Sequence, residues 1–421
     1  MYDHFRHAAQ LRTLVQEAEE SLRPSLAQIE QLVDANQVKV IRAFQQVQVH
    51  EGHLHSSTGY GYDDVGREGL DRLFAIAFGA EAALVRPHFV SGTHAIAAAL
   101  FGLLRPGDDL LYITGEPYDS LGKVLNAEKG SGSLRDWGVS SRSLPLLSSG
   151  CIDHVAVREA LLPQTRVVAI QRSCGYAWRP AVGIEQIGET VRVLREVRPD
   201  LIIFVDNCYG EFTEKREPTE VGVDLMAGSL IKNPGGGLAP SGGYVAGKRK
   251  WVNAAAHRLT APGIGSQVGA MLGVTRLMYQ GFFLAPHVVG EALKGALFLS
   301  QVFRTIGMDT YPAPEDARSD IIQMIRFAER ESCIRFCQSI QKASPVDSLA
   351  VPVPSPMPGY EDEVIMAAGT FVQGGSLELT ADAPMREPYT AYIQGGLTFS
   401  HVKYAALTFL DQWLGEHENV N

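Results

Sequence analysis

The chain has 421 residues, 45% of them hydrophobic and 20% charged, with a net charge of −10 at neutral pH. That length can bury a large core and predicts two or three domains. The acidic balance argues against nucleic acid or an anionic membrane as the main partner, because either needs a basic surface.

The N-terminus, Met1 to His7, has no apolar signal core and is not an Arg/Ser-rich leader, so the cytoplasm is the expected location. Apolar Leu11, Leu14, Val15, Ala18 and Leu22, then Ile29, Leu32 and Val33, recur at three- and four-residue steps. They predict helix over 8–48, divided in two at Pro24. Residues 1–58 thus read as a helical arm that packs on another domain or subunit.

From residue 66 helices and strands alternate. A helix is expected over 67–79, a strand over 83–87, and an alanine-rich helix over 92–104, stopped by Arg105-Pro106-Gly107-Asp108. The apolar runs 110–114, 167–170 and 201–205 have the character of buried parallel strands, with crossover helices such as 184–196. This predicts an α/β large domain over 59–285 with a mostly parallel sheet. Helix returns at 272–278 and 286–306. No stretch is expected to reach membrane-spanning length, because Pro286 and His287 interrupt the best candidate, 281–290. A proline-rich loop at 351–360 leads to strands over 364–373, 376–380 and 389–393 and a helix over 400–413, so residues 286–421 read as a smaller C-terminal α+β domain. The five cysteines form neither a disulfide framework nor a metal site, and Cys333 and Cys337, four apart in a helix, suit core packing.

The residues with the most chemistry lie between 201 and 237. An apolar strand delivers Asp206 to its end, and Lys232 follows 26 residues later, between Ser229 and the run Gly235-Gly236-Gly237. Separately these are a turn former and a solvated lysine. Together they suit pyridoxal 5'-phosphate (PLP), which needs a lysine for a Schiff base and a carboxylate to keep the pyridine nitrogen protonated. Ser91-Gly92-Thr93 at a helix start is a phosphate cradle or a plain N-cap. Gly59 to Arg67, with Tyr60 and Tyr62, is a second anion-binding candidate or an exposed turn. Tyr118 follows strand 110–114, and Arg172 follows strand 167–170, at the sheet edge where open α/β folds bind ligands. Ser229 could reach the phosphate.

The segments Ser91-Gly92-Thr93, Leu103 to Asp108, Tyr118, Asp206-Asn207 and Asp224 through Ser229 to Lys232 resemble the methionine γ-lyase/cystathionine β-lyase group of PLP enzymes. With Gln171-Arg172-Ser173, Gly175-Tyr176, Trp178-Arg179-Pro180, Cys208 to Phe212 and Gln394 to Leu397, the chain is similar to the branch known as methionine γ-lyase-like or aluminium-resistance proteins. The resemblance covers roughly residues 30 to 410. It implies the aspartate aminotransferase fold type I, a PLP-dependent transferase-like fold, with Lys232 as Schiff-base lysine and Asp206 as partner of the pyridine nitrogen. It also implies that Ser91, Gly92, Thr93 and Ser229 hold the phosphate and that Tyr118 stacks on the ring. Tyr60 or Tyr62 with Arg67 would reach the phosphate of a neighbouring subunit, in a homodimer or homotetramer with shared sites. The family's Tyr-x-Arg is absent: Arg67 lies five residues after Tyr62. Tyr392 stands where the family has its substrate-carboxylate arginine, so Arg172 and Arg386 are the substitutes.

The expected function is a PLP-dependent carbon–sulfur lyase eliminating thiol from a sulfur amino acid, with Lys232, Asp206 and Tyr118 as catalytic residues. The alternatives are other PLP chemistry, such as transamination, aldol cleavage or loss of a non-sulfur group, and a PLP-binding stress protein without catalysis.

Overall fold

A 40-residue helix opens the computed structural model, which describes residues 1–357 and 360–417. This helix, α1 (Ala8–Val47), is continuous through Pro24, so the expected division there does not occur. Proline costs a helix interior about 3 kcal/mol. Burial on either side outweighs that. Leu11, Val15, Ala18 and Leu22 enter one hydrophobic core, Val40, Ala43 and Val47 enter another, and a fully buried Val or Leu is worth about 1.5–3 kcal/mol.

Among the described residues, twelve strands form two sheets. The large sheet has the order β1 (Ala82–Arg86), β7 (Gly243–Gly247), β6 (Leu225–Ser229), β5 (Ile202–Asp206), β4 (Thr165–Gln171), β2 (Asp109–Tyr112) and β3 (Ser140–Ser143). Only β7 runs against its neighbours β1 and β6; the pairs from β6 to β3 are parallel. Both faces are covered. Ile203 and Val205 of β5 enter one core, Ile202 and Phe204 the other, and β4 divides in the same way. Strands buried on both faces read as unbroken apolar runs, which is why β4 and β5 were legible. The helices around this sheet include α2 (Val65–Ala77), α3 (Gly92–Leu103), α4 (Asp119–Asn126), α5 (His154–Ala160), α6 (Ile184–Val197) and α7 (Arg249–Leu259).

The second core helix, α8 (Thr275–Thr305), runs 31 residues and also ignores its proline, Pro286. By length and composition it is apolar enough to cross a membrane, contrary to expectation, but 72% of its apolar window is buried inside the protein. Its first half packs in the core around Phe282 and Val289, its second half in the core around Phe298 and Phe303. The expected domain boundary at 285/286 falls within this helix.

The smaller sheet has the order β10 (Val364–Ala367), β11 (Thr380–Pro384), β12 (Thr390–Gln394), β9 (Ile322–Arg326) and β8 (Asp309–Tyr311), and is antiparallel throughout. Helices α9 (Arg330–Lys342) and α10 (Phe399–His417) complete this region, with Cys333 and Cys337 buried in α9. The strand expected over 376–380 begins only at Thr380, as β11, and β10 ends well short of 373. Residues 358 and 359 of the expected proline-rich loop lie outside the described residues. One face of the small sheet, with Ala381, Ala391 and Ile393, joins the core beneath α9 and α10; the other, with Ile322, Met324 and Tyr392, meets Cys174 and Tyr209 of the large domain.

Candidate active site

The carboxyl ends of the parallel strands β2, β4, β5 and β6 lie along one edge of the large sheet. Asp206 ends β5 in register with Gln171 of β4 and Ala227 of β6. Its buried carboxylate accepts from the Cys208 backbone N–H at 3.1 Å. Burial raises its pKa, against the pull of Lys232 and that N–H.

Lys232 follows β6 on a short loop. Its Nζ lies 4.0 Å from the centroid of the Tyr209 ring, a cation–π contact. Burial opposes its charge, but Cys208, Tyr209, Tyr118 and Asp206 around it outweigh that and raise its pKa. The thiol and both phenols are themselves pushed up by burial. The glycine run after Lys232 serves packing: Gly236 has φ 56°, and a Cβ there would lie 2.1 Å from the Gly281 carbonyl oxygen of α8.

At the start of α3, Ser91 is the N-cap, its Oγ accepting from His94 N–H at 3.1 Å. Gly92 lies so close to β6 that a Cβ would come within 3.0 Å of Ser229 Cβ and 3.3 Å of Cys208 Sγ. Ser229 Oγ is buried without a hydrogen-bond partner. An orphan hydroxyl beside a helix N-terminus, where free N–H groups and the positive dipole end meet, is suited to a phosphate. Thr93 Oγ1 lies 3.2 Å from Tyr118 Oη, and Gln171 Oε1 fixes Tyr118 by accepting its backbone N–H at 3.1 Å. Lys232, Asp206, Tyr118, Ser91, Gly92, Thr93 and Ser229 are therefore brought together. An amine, a carboxylate, a flat ring and an anion cradle are what PLP requires, and these residues fit it.

The other five expected residues are held differently. Arg172 is fully buried, donating to Asn207 Oδ1 (2.8 Å), the Gly210 carbonyl (2.8 Å) and Glu214 (2.6 Å), with Glu217 at 3.7 Å. It braces the turn after Asp206, and with both terminal nitrogens taken only its buried Nε is without a partner, so no two-pronged contact is left for a substrate carboxylate. Arg67 is likewise fully buried, its two terminal nitrogens donating to the carbonyl oxygens of Gly61, Gly269 and Gln267 and its Nε left without a partner. The expectation that it reaches a phosphate does not fit those surroundings. Arg386 is exposed, paired with Asp362 at 3.1 Å, and shares with Tyr118 and Tyr176 the lining of a cleft of about 500 Å³. Tyr60 and Tyr62 are 72% and 65% exposed and stack on each other at 5.4 Å.

Reasoning from sequence assigned no role to Tyr209, Gln394, Asp382 or Tyr176. Tyr209 Oη donates to Gln394 Oε1 (2.7 Å), Gln394 Nε2 donates to Asp382 (3.0 Å), and Tyr176 Oη donates to the same carboxylate oxygen (2.9 Å). Burial pushes Asp382 up to about 6. The available signal was Tyr209 itself, an aromatic three residues past the strand-end carboxylate.

The sequence model of the family described as methionine gamma-lyase matches residues 11–414. The chain belongs to the methionine gamma-lyase family. The uncharacterized protein YnbB of Bacillus subtilis is 51% identical over 413 residues, 98% of each chain. A solved structure from Listeria monocytogenes, provisionally named a cystathionine beta-lyase involved in aluminum resistance, is 50% identical at a TM-score of 0.93, over 95% of this chain and 99% of that one. A carbon-sulfur lyase involved in aluminum resistance from Clostridium novyi is 46% identical over 96% of each chain, with a TM-score of 0.92. The PLP-dependent protein YhfS of Escherichia coli, 18% identical at a TM-score of 0.60, covers 93% of this chain and 97% of its own and shares the fold. The architecture is the expected fold type I, and the family is one of lyases.

Proposed function

We propose that the protein is a PLP-dependent carbon–sulfur lyase that releases thiol from a sulfur amino acid by β- or γ-elimination. The observation that carries this reading is the meeting of Lys232, Asp206 and the orphan Ser229 hydroxyl at the start of α3, in a chain half identical to proteins that bear lyase names. When bound, the cofactor supplies an electron sink for charge on the substrate α-carbon. Lys232 Nζ would hold it covalently and, once displaced by the substrate amine, take the α-proton as general base. Asp206 would keep the pyridine nitrogen protonated. Ser229, Gly92 and Thr93 would hold the phosphate through hydroxyl and backbone N–H donors, with Ser91 capping the helix that presents them. Tyr118 would stack on the ring. Burial keeps its phenol protonated, so it is a donor for the departing sulfur.

Arg386, an exposed cation lining the cleft, is the substitute for a substrate-carboxylate arginine. The exposed Tyr60 and Tyr62 suit contact with the phosphate of a second copy, in a homodimer or homotetramer with shared sites. A panel of sulfur amino acids, scored for thiol and α-keto acid in the PLP-loaded protein, tests the reaction. Both products in equal amounts are expected. Keto acid with amino-group transfer and no thiol would make it a transaminase, and neither product would remove the lyase reading.

A further inference from the structure

Tyr209 is held where it is at some cost. Its φ is +70° and that of Phe212 is +62°, a left-handed region that non-glycine residues seldom occupy. The strained turn is pinned by the neighbour of Lys232: Asn233 Nδ2 donates to the Tyr209 carbonyl (3.0 Å) and the Glu211 carbonyl (2.9 Å). Arg172 braces the same turn from the other side through Asn207 and Gly210. The strain is spent on one outcome, a tyrosine ring facing Lys232 Nζ.

The far end of that ring is tethered as well. Its hydroxyl donates to Gln394 on β12 and accepts from Ser376 Oγ (3.1 Å), and Gln394 passes the connection to Asp382 on β11. Tyr176 of the large domain closes the row on Asp382. A continuous polar chain therefore runs from the large-domain turn beside Lys232, through two small-domain strands, and back to the large domain. Beside it Ile322, Met324 and Tyr392 pack against Cys174, whose backbone N–H also donates to Asp320 at 3.1 Å. Hydrogen bonds have direction where apolar contacts do not, and of these polar contacts this row is the one that reaches the ring beside Lys232, so it couples the seating of the small sheet to the lysine.

We propose that Tyr209 is the positioning residue for Lys232: its ring carries the lysine ammonium whenever the amine is free, and its tether through Gln394 to Asp382 makes the lysine's placement depend on how the small sheet is seated. The proposal rests on Lys232 being the working amine, as proposed above. Tyr209 touches the lysine and acts through it.

The test uses three variants of the full chain. Tyr209→Phe keeps the ring and cuts the tether, Gln394→Met cuts the tether one step away, and Tyr209→Leu removes both. One readout needs no turnover: in cofactor-free protein, the rate at which an amine-acylating reagent labels Lys232 is followed against pH by peptide mapping. Loss of the cation–π contact should lower the apparent pKa of the amine and raise its labelling near neutral pH roughly three- to tenfold in Tyr209→Leu. The second readout is steady-state kinetics of the loaded enzyme, where Tyr209→Phe and Gln394→Met should lower kcat about tenfold with KM little changed. Should Tyr209→Leu not fold, the other two carry the test. Wild-type Lys232 labelling in every variant that folds, together with wild-type kcat in Tyr209→Phe and Gln394→Met, would overturn the proposal. A labelling change with no activity in wild type to lose would instead support the placement of Lys232 and count against the lyase reading.

Discussion

Two loops of this chain carry the residue types of an anion site, and they end differently. Around Ser229 and the start of α3, polar groups converge with valence unspent: a buried hydroxyl without a partner, free helix N–H groups, and a lysine set on an aromatic face. In the Gly59 to Arg67 loop both terminal nitrogens of the guanidinium are taken by carbonyl oxygens of its own chain, leaving only Nε, and the tyrosines are exposed and stack on each other. Arg172 follows the second pattern although it stands beside Asp206. Residue type proposes a ligand contact. What decides it is whether the folded chain has left the donor anything to give, since buried donors satisfied by the protein are structural.

Lys232→Ala should draw that contrast most sharply, abolishing both lyase turnover and the cofactor's absorbance in the visible. Persistence of either in the purified variant would place the working amine elsewhere. Arg172→Ala belongs to the other side of the comparison. Removing one partner from a buried ion network costs about 3–5 kcal/mol, so denaturant unfolding should report a large loss of stability. A stable variant with a strongly raised KM would return Arg172 to the substrate. Ser229→Ala should weaken PLP binding about ten- to a hundredfold, the worth of a hydrogen bond to a charged group, while leaving the cofactor-free protein as stable as before. Equilibrium titration and thermal melting separate these effects, and the reverse result would make Ser229 a structural residue. For the exposed tyrosines, a Tyr60→Ala/Tyr62→Ala chain mixed with Lys232→Ala should regain part of the activity through hybrid sites. Demonstrated subunit exchange with no recovery would end the shared-site reading.

A further expected effect, on the pH dependence of stability, lies behind the site. Glu211 is buried and accepts from Tyr244 Oη at 2.8 Å, and burial lifts its carboxyl to about 8. The fold thus keeps a proton that the unfolded chain gives up near pH 4.5. Its contribution to stability is full below that pH and is lost as pH rises through about 8. Melting temperatures between pH 5 and 8 should accordingly fall more steeply for the wild type than for Glu211→Gln. Parallel curves would show that Glu211 is already ionised in the folded state.

Much of this was legible in the sequence wherever burial is two-sided and side chains are large. β4 and β5, and with them Asp206, stand out because apolar runs of that length have few other uses. β6 and β7 escaped notice because close packing demands small residues there: a Cβ on Gly228 would lie 2.5 Å from Glu211 Oε1, and one on Gly243 2.9 Å from Ala95 Cβ. β11, Thr-Ala-Asp-Ala-Pro, is masked in the same way. Pro24 and Pro286 misled because a local rule about helix interiors lost to two cores that a single straight helix could bridge. The ends of side chains were the least legible. Nothing in the sequence says that Arg172 turns inward or that Asp382 is connected to Tyr209 through Gln394, since both depend on segments far apart in the chain.

The most direct test of the central claim is chemical. Borohydride reduction of the PLP-loaded protein, followed by proteolysis and mass spectrometry, should find the pyridoxyl group on the peptide bearing Lys232 and on no other. A pyridoxyl adduct on a different lysine, or none at full PLP occupancy, would contradict the account.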